Sequence, residues 1–186
     1  MKVITWVDPD GRYRVTSPSY NDISRPAGET EDECLERTWL ALVASGLYDI
    51  PADHPHFYVE NADQAAKIAT LGGSEFRYAG KPGADGKRDA KDGAWEMDTD
   101  GTPKVNMEKA RAVHMDAIRT VRDAELAKKD VPFMRAVEAG DTDAQATIGT
   151  EKQTLRDIPA TFDITTDVDT PEKLKAKWPT ELPARE

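Results

Sequence analysis

Asp130-Val131-Pro132-Phe133-Met134-Arg135-Ala136-Val137-Glu138-Ala139-Gly140-Asp141 is the stretch on which the fold turns. Proline lacks an N–H and its ring meets the carbonyl one turn back, so inside a helix it kinks or ends it. Glycine suits the left-handed residue after a helix, and aspartate is a strong N-cap for the next one. The spacing therefore predicts a short helix from Asp130 with Phe133, Met134 and Val137 apolar, ended by Gly140. Asp141 then caps another helix through Ala144, Ile148 and Leu155 to Asp157, and Pro159 closes that segment.

Upstream, Asn106 caps a main helix running to about Ala127. Met107, Ala110, Val113, His114, Ala117, Ile118 and Val121 recur every three or four residues, while Glu108, Arg111, Arg119 and Arg122 face elsewhere. Such a stripe is buried on one side. The short connections predict an antiparallel helical hairpin. Downstream, Thr170 caps a last short helix with Pro171 in its first position, where the missing N–H costs nothing. Leu174 and Trp178 share a face before Pro179 stops the turn.

The N-terminal part follows a different pattern. Val3 to Val7 is β-branched and aromatic, Asp8-Pro9-Asp10-Gly11 is a turn, and Arg12-Tyr13-Arg14-Val15 alternates polar and apolar; together they predict a β-hairpin. Thr30-Glu31-Asp32-Glu33 is a capping box that opens a helix with Leu35, Trp39, Leu42 and Val43 apolar and a stop at Gly46. His56 to Val59 reads as a strand, and Gln64 to Leu71 as a short helix ended by Gly72-Gly73. A three-stranded antiparallel sheet with a helix on one face would hide Trp6, Tyr13, Trp39, Phe57 and Tyr58.

From Gly80 to Gly101 the composition turns to glycine, lysine and aspartate, with Trp95 and Met97 as the apolar anchors and one strand over 94–97. This predicts a polar arm. Ordering such a segment costs about 1–2 kcal/mol per residue, so neighbours in an assembly are expected to hold it. The expected organisation is α+β: a small ββαβ unit over 1–79, a polar linker over 80–105, and a helical part over 106–186 comprising the hairpin and the short terminal helix.

The formal net charge of −10 repels nucleic-acid phosphates and anionic membranes. With Cys34 as the sole cysteine, neither an intrachain disulfide nor a thiolate zinc site can be built. Met1 to Asp8 reaches an acid and then Pro9 before a signal peptide's apolar region would be complete. Nowhere does an uncharged run approach the ~20 residues that span a bilayer. The expectation is synthesis in a cytoplasm, with assembly there into something larger.

No chemistry-bearing constellation emerges. His54-Pro55-His56 could point two rings to one face, but a third metal ligand is missing and Asp53 with Pro55 favours a loop. Asp98-Thr99-Asp100-Gly101 resembles the start of a calcium loop, yet the position that needs glutamate is Lys109; a turn between strand and helix is the better account. Gly72-Gly73 and the spaced Gly80, Gly83 and Gly86 lack the Gly-Lys-Ser/Thr of a phosphate loop. Ser17, Ser19 and Ser24 sit in no nucleophile elbow, and Glu138 and Asp141 are explained as helix-end and cap residues. His114, inside an apolar stripe, reads as a core or interface residue. The chain is thus expected to be no enzyme and to need no metal or cofactor. Its candidate contact residues are Trp178, Leu174, Phe133, Met134, Trp95 and His114.

Ala112, Ala117-Ile118-Arg119, Arg122-Asp123, Glu125-Leu126, then Asp130 with Pro132 to Asp141, Lys152-Gln153, Leu155-Arg156-Asp157, and Leu174 with Trp178-Pro179 form an ordered series. Over about residues 106–183 it resembles a helical segment of tail proteins of tailed bacteriophages, in particular the C-terminal part of tail-fibre proteins and their assembly proteins. The resemblance implies helical packing and protein–protein contact without catalysis, in a fibre, baseplate or tail-tip component of the virion. The partners implied are other tail proteins and copies of the chain itself, with neither nucleic acid nor membrane. Two alternatives stand beside it: a tail-fibre assembly chaperone absent from the finished particle, and a metal- or ligand-binding accessory protein resting on the histidine pair.

Overall fold

The computed structural model describes residues 1–18, 26–72, 76–77 and 93–185. The fold is α+β. In chain order it runs β1 (Lys2–Val7), β2 (Tyr13–Thr16), α1 (Glu31–Ala44), β3 (His56–Glu60), α2 (Asn61–Ala69), β4 (Trp95–Met97), β5 (Pro103–Val105), α3 (Met107–Ala139), α4 (Thr142–Thr161) and α5 (Pro171–Ala176). Two compact units divide the chain, Met1–Ala110 and Arg111–Glu186.

In the first unit β1 is the central strand of an antiparallel sheet ordered β2-β1-β3. The predicted hairpin forms, with Gly11 donating to the Asp8 carbonyl at 2.8 Å and taking a positive φ of 78°. Asp8 is the turn's anchor: its carboxylate accepts from the Arg12 N–H and the Arg14 guanidinium, both at 2.8 Å. The capping box of α1 is present as read, since Thr30 accepts the Glu33 N–H at 3.3 Å and the Glu33 carboxylate accepts the Thr30 N–H at 2.8 Å.

The period of two along β1 sends alternate side chains to opposite faces. Ile4 and Trp6 pack with Leu35 and Trp39 of α1 and with Ile50, which is the face expected to carry a helix. The opposite face is also covered. There the Thr5 hydroxyl donates to the Gly101 carbonyl at 2.7 Å and the Tyr13 hydroxyl donates to the same oxygen at 3.1 Å. Gly101 sits at φ +80°, and a Cβ on it would lie 2.3 Å from the Cβ of Phe57, so the approach demands glycine.

That contact corrects the expected linker. The described part of it, residues 93–105, carries the antiparallel β4–β5 pair and belongs to the first unit. The Asp98 to Gly101 turn joins strand to strand and not strand to helix. Residues 80–92 lie outside the described residues. The physical reason is burial: Ala94, Trp95, Thr102 and Pro103 are hidden, so a segment polar in composition places its few apolar groups on the sheet face opposite α1. Helix α2 begins three residues before its expected start, at Asn61, and ends at Ala69.

The second unit corrects the reading of Pro132. Helix α3 is continuous for 33 residues through that proline. Only the donor to the Lys128 carbonyl is missing, and Lys128, Asp130, Val131 and Pro132 are all exposed, so water can reach it. Two ion pairs from α4 hold the turn just before the proline, Glu151 to Lys129 at 2.7 Å and Lys152 to Asp130 at 2.6 Å. Likewise α4 runs through Pro159 to Thr161 instead of closing before it.

Gly140 does end α3 as expected. At φ +68° it donates to the Val137 carbonyl at 3.1 Å, while Asp141 N–H reaches back to the Ala136 carbonyl at 2.9 Å, the paired bonds of a Schellman end. Asp141 then caps α4 by accepting the Ala144 N–H at 2.9 Å. With so short a joint the helices fold back antiparallel: residues advancing along α3 meet residues receding along α4, from Lys129 with Glu151 to Ala136, whose carbonyl accepts from Gln145 at 3.2 Å. Helix α5 forms with Thr170 as cap and Pro171 first, and Leu174 is fully buried.

Candidate interaction surface

The turn of the α3–α4 hairpin presents an unusual surface. Val131, Met134 and Val137 are 58%, 55% and 44% exposed. Their spacing of three residues places them along one side of α3, and they continue to the Schellman end at Gly140. Single exposed apolar residues need no explanation, whereas a run of them along one helix face is a candidate contact site. The surrounding charge is negative. Between Asp130 and Asp143 stand four carboxylates, Asp130, Glu138, Asp141 and Asp143, against the single guanidinium of Arg135, all on exposed residues.

Two features tie this end of α3 to α4. Phe133 turns inward and lies under the Lys152 ammonium, 5.3 Å from the ring centroid. Ala136, between Phe133 and Val137, is buried and receives the Gln145 and Asp141 hydrogen bonds on its carbonyl. The inward side of α3 is thereby fixed to α4, and the outward side is held in register by the same helix.

Of the six residues singled out in the sequence, only Met134 is exposed. Leu174 is fully buried and His114 is 1% exposed. The His114 Nε2–H donates to the Lys177 carbonyl at 2.7 Å, which ties α3 to the end of α5. Trp178 is half-buried: its indole meets His114 edge to face at 5.9 Å, its N–H donates to the Pro183 carbonyl at 2.8 Å, and the Arg185 guanidinium lies 4.9 Å above its ring. Trp95 is buried beneath the Arg77 guanidinium, and Phe133 is half-buried as described. As contact residues Leu174, His114 and Trp95 are corrected, because the chain itself buries them, while Trp178 and Phe133 are partly covered by it. Val131 and Val137, which are not among the six, are exposed beside Met134; the sequence signal for them is their three-residue spacing from Met134, with Val137 already read as apolar on the same helix.

The histidine pair is part of the first unit's packing. His54 Nε2–H donates to the Val7 carbonyl at 2.6 Å, and His56 Nδ1–H donates to the His54 carbonyl at 2.9 Å. The His56 ring stacks on Trp39 at 4.1 Å. Among the described residues no group of three or more His, Cys, Asp or Glu side chains is arranged to hold a metal ion, and no helix is long and apolar enough to cross a membrane. In the β4–β5 turn, the Thr102 hydroxyl and N–H hold the Asp100 carboxyl below the usual carboxylate range, and the Thr99 N–H does the same for Asp98. Those are the bonds of a turn that seats Gly101.

No protein-family model matches the chain, and neither a curated protein nor a solved structure is significantly similar to it.

Proposed function

We propose that the chain is a non-catalytic interaction component of a bacteriophage tail, at the fibre, baseplate or tail tip, which works by packing against neighbouring proteins. The exposed Val131, Met134 and Val137 run at the hairpin end carries this reading. An apolar face on a helix tied to α4 and left uncovered is what a docking element requires, since little ordering entropy remains to oppose binding. The phage setting is supported by the resemblance of residues 106–183 to helical segments of tail proteins.

Mass spectrometry of purified particles tests the proposal. A structural component is recovered at a fixed ratio to other tail proteins. Recovery from infected-cell lysate but not from particles would replace this reading with the assembly chaperone, and absence of the chain from both would end the phage assignment.

A further inference from the structure

We infer that the end of the α3–α4 hairpin takes a basic amphipathic segment of a different protein, one that lays apolar side chains flanked by lysine or arginine along Val131, Met134 and Val137. This rests on the proposed interaction role and specifies the chemistry of its partner. The argument is one of charge. The apolar run is bordered by Asp130 and Glu138, with Arg135 the one cation beside it between Asp130 and Asp143, and the hairpin turn adds Asp141 and Asp143. Asp130 already has Lys152 as its ion-pair partner, whereas Glu138 and Asp143 have no ion-pair partner among the described residues.

A second copy of the chain fits this face poorly. Two-fold pairing brings a patch against itself. About an axis at Met134, Val131 would meet Val137 of the other copy, but Asp130 would meet Glu138, acid against acid. Like charges brought together at an interface weigh against that partner. A segment with the opposite charge gains where the copy loses, and the apolar contact is the same in both.

The experiment uses the full chain and two synthetic helical peptides that share one leucine spacing, the first with lysine flanks and the second with glutamate flanks. Fluorescence anisotropy is expected to show binding of the lysine peptide alone, weakening as salt is raised through the range that screens exposed charges. Met134→Lys, on an exposed position whose melting curve should match the wild type, is expected to weaken binding about tenfold, in the range found for central contact residues. Leu40→Lys, at another exposed apolar position, in the first unit, should leave it unchanged. Equal binding of both peptides, binding of neither, or indifference to Met134→Lys would overturn the inference. So would a self-associated dimer that Met134→Lys dissolves. Recovery of the chain from tail particles is measured separately, so the partner chemistry can fail while the interaction role stands.

Discussion

The sheet unit and the hairpin end use their apolar side chains in opposite ways. Around β1, Trp6 and Trp39 meet edge to face at 5.7 Å, His56 stacks on Trp39, and both faces of the sheet are covered. At the far end of α3, Val131, Met134 and Val137 stand in solvent along a helix whose other side is locked to α4. A shape built for burial closes on itself. The hairpin end is finished in backbone and leaves three apolar side chains uncovered, and that difference is what the proposed contact surface rests on.

The comparison can be broken most forcefully at its closed side. Trp39 is fully buried and its indole N–H donates to the Ala52 carbonyl at 3.2 Å. Trp39→Ala should cost about 3–5 kcal/mol in chemical denaturation, as for other large-to-small core changes. A loss no larger than that of a surface substitution would show the aromatic cluster to be loosely packed. Pro132→Ala tests the hairpin from the other direction. Restoring the N–H to an exposed stretch of continuous helix should raise stability by about 1–3 kcal/mol, read in the same assay, and a decrease would mean that the proline fits a bend the helix needs.

A pH titration sharpens the account of the sheet's second covered face. Burial pushes the Tyr13 phenol up to about 12, although hydrogen bonds with Thr5 and Gln64 act the other way. An acid whose folded pKa lies above its unfolded value favours folding below the unfolded value, near 10, and loses that contribution as pH rises through the folded one. Tyr13→Phe should therefore flatten the decline in melting temperature between about pH 10 and 12. An identical decline in both proteins would contradict the buried contact with Gly101.

Smaller effects are expected at exposed positions. Thr30→Ala removes the cap of α1 and should cost about 1 kcal/mol. In wild type the Thr30 N–H and hydroxyl also hold the Glu33 carboxyl below the usual range, so that carboxylate's contribution is present above its unfolded value and lost as pH falls through the depressed folded one. The variant should show a shallower acid dependence. Least of all, Met134→Ser should shift stability by no more than about 0.5 kcal/mol, since it removes nothing the isolated chain has buried.

The elements that proved legible in the sequence are those governed by local chemistry. The Asp8 to Gly11 turn, the Thr30 capping box, the Gly140 stop and the Thr170-Pro171 start each satisfy backbone groups within a few residues. Two readings failed because the deciding contacts are distant. Pro132 is tolerated through solvent and through Glu151 and Lys152, some twenty residues on. The polar stretch before α3 folds because Thr5 and Tyr13, near the start of the chain, donate to Gly101. The same limit explains the contact residues. Large aromatic size and a share in an apolar stripe do not distinguish a side chain the chain will cover from one it will leave open, so Trp178, Leu174 and His114 were named beside Met134.

Incorporation of a folded Met134→Glu variant into tail particles tests the central claim most directly. The account predicts that the variant melts like wild type but is depleted from purified particles, while Trp178→Phe is retained. Normal incorporation of Met134→Glu at the wild-type ratio would contradict it.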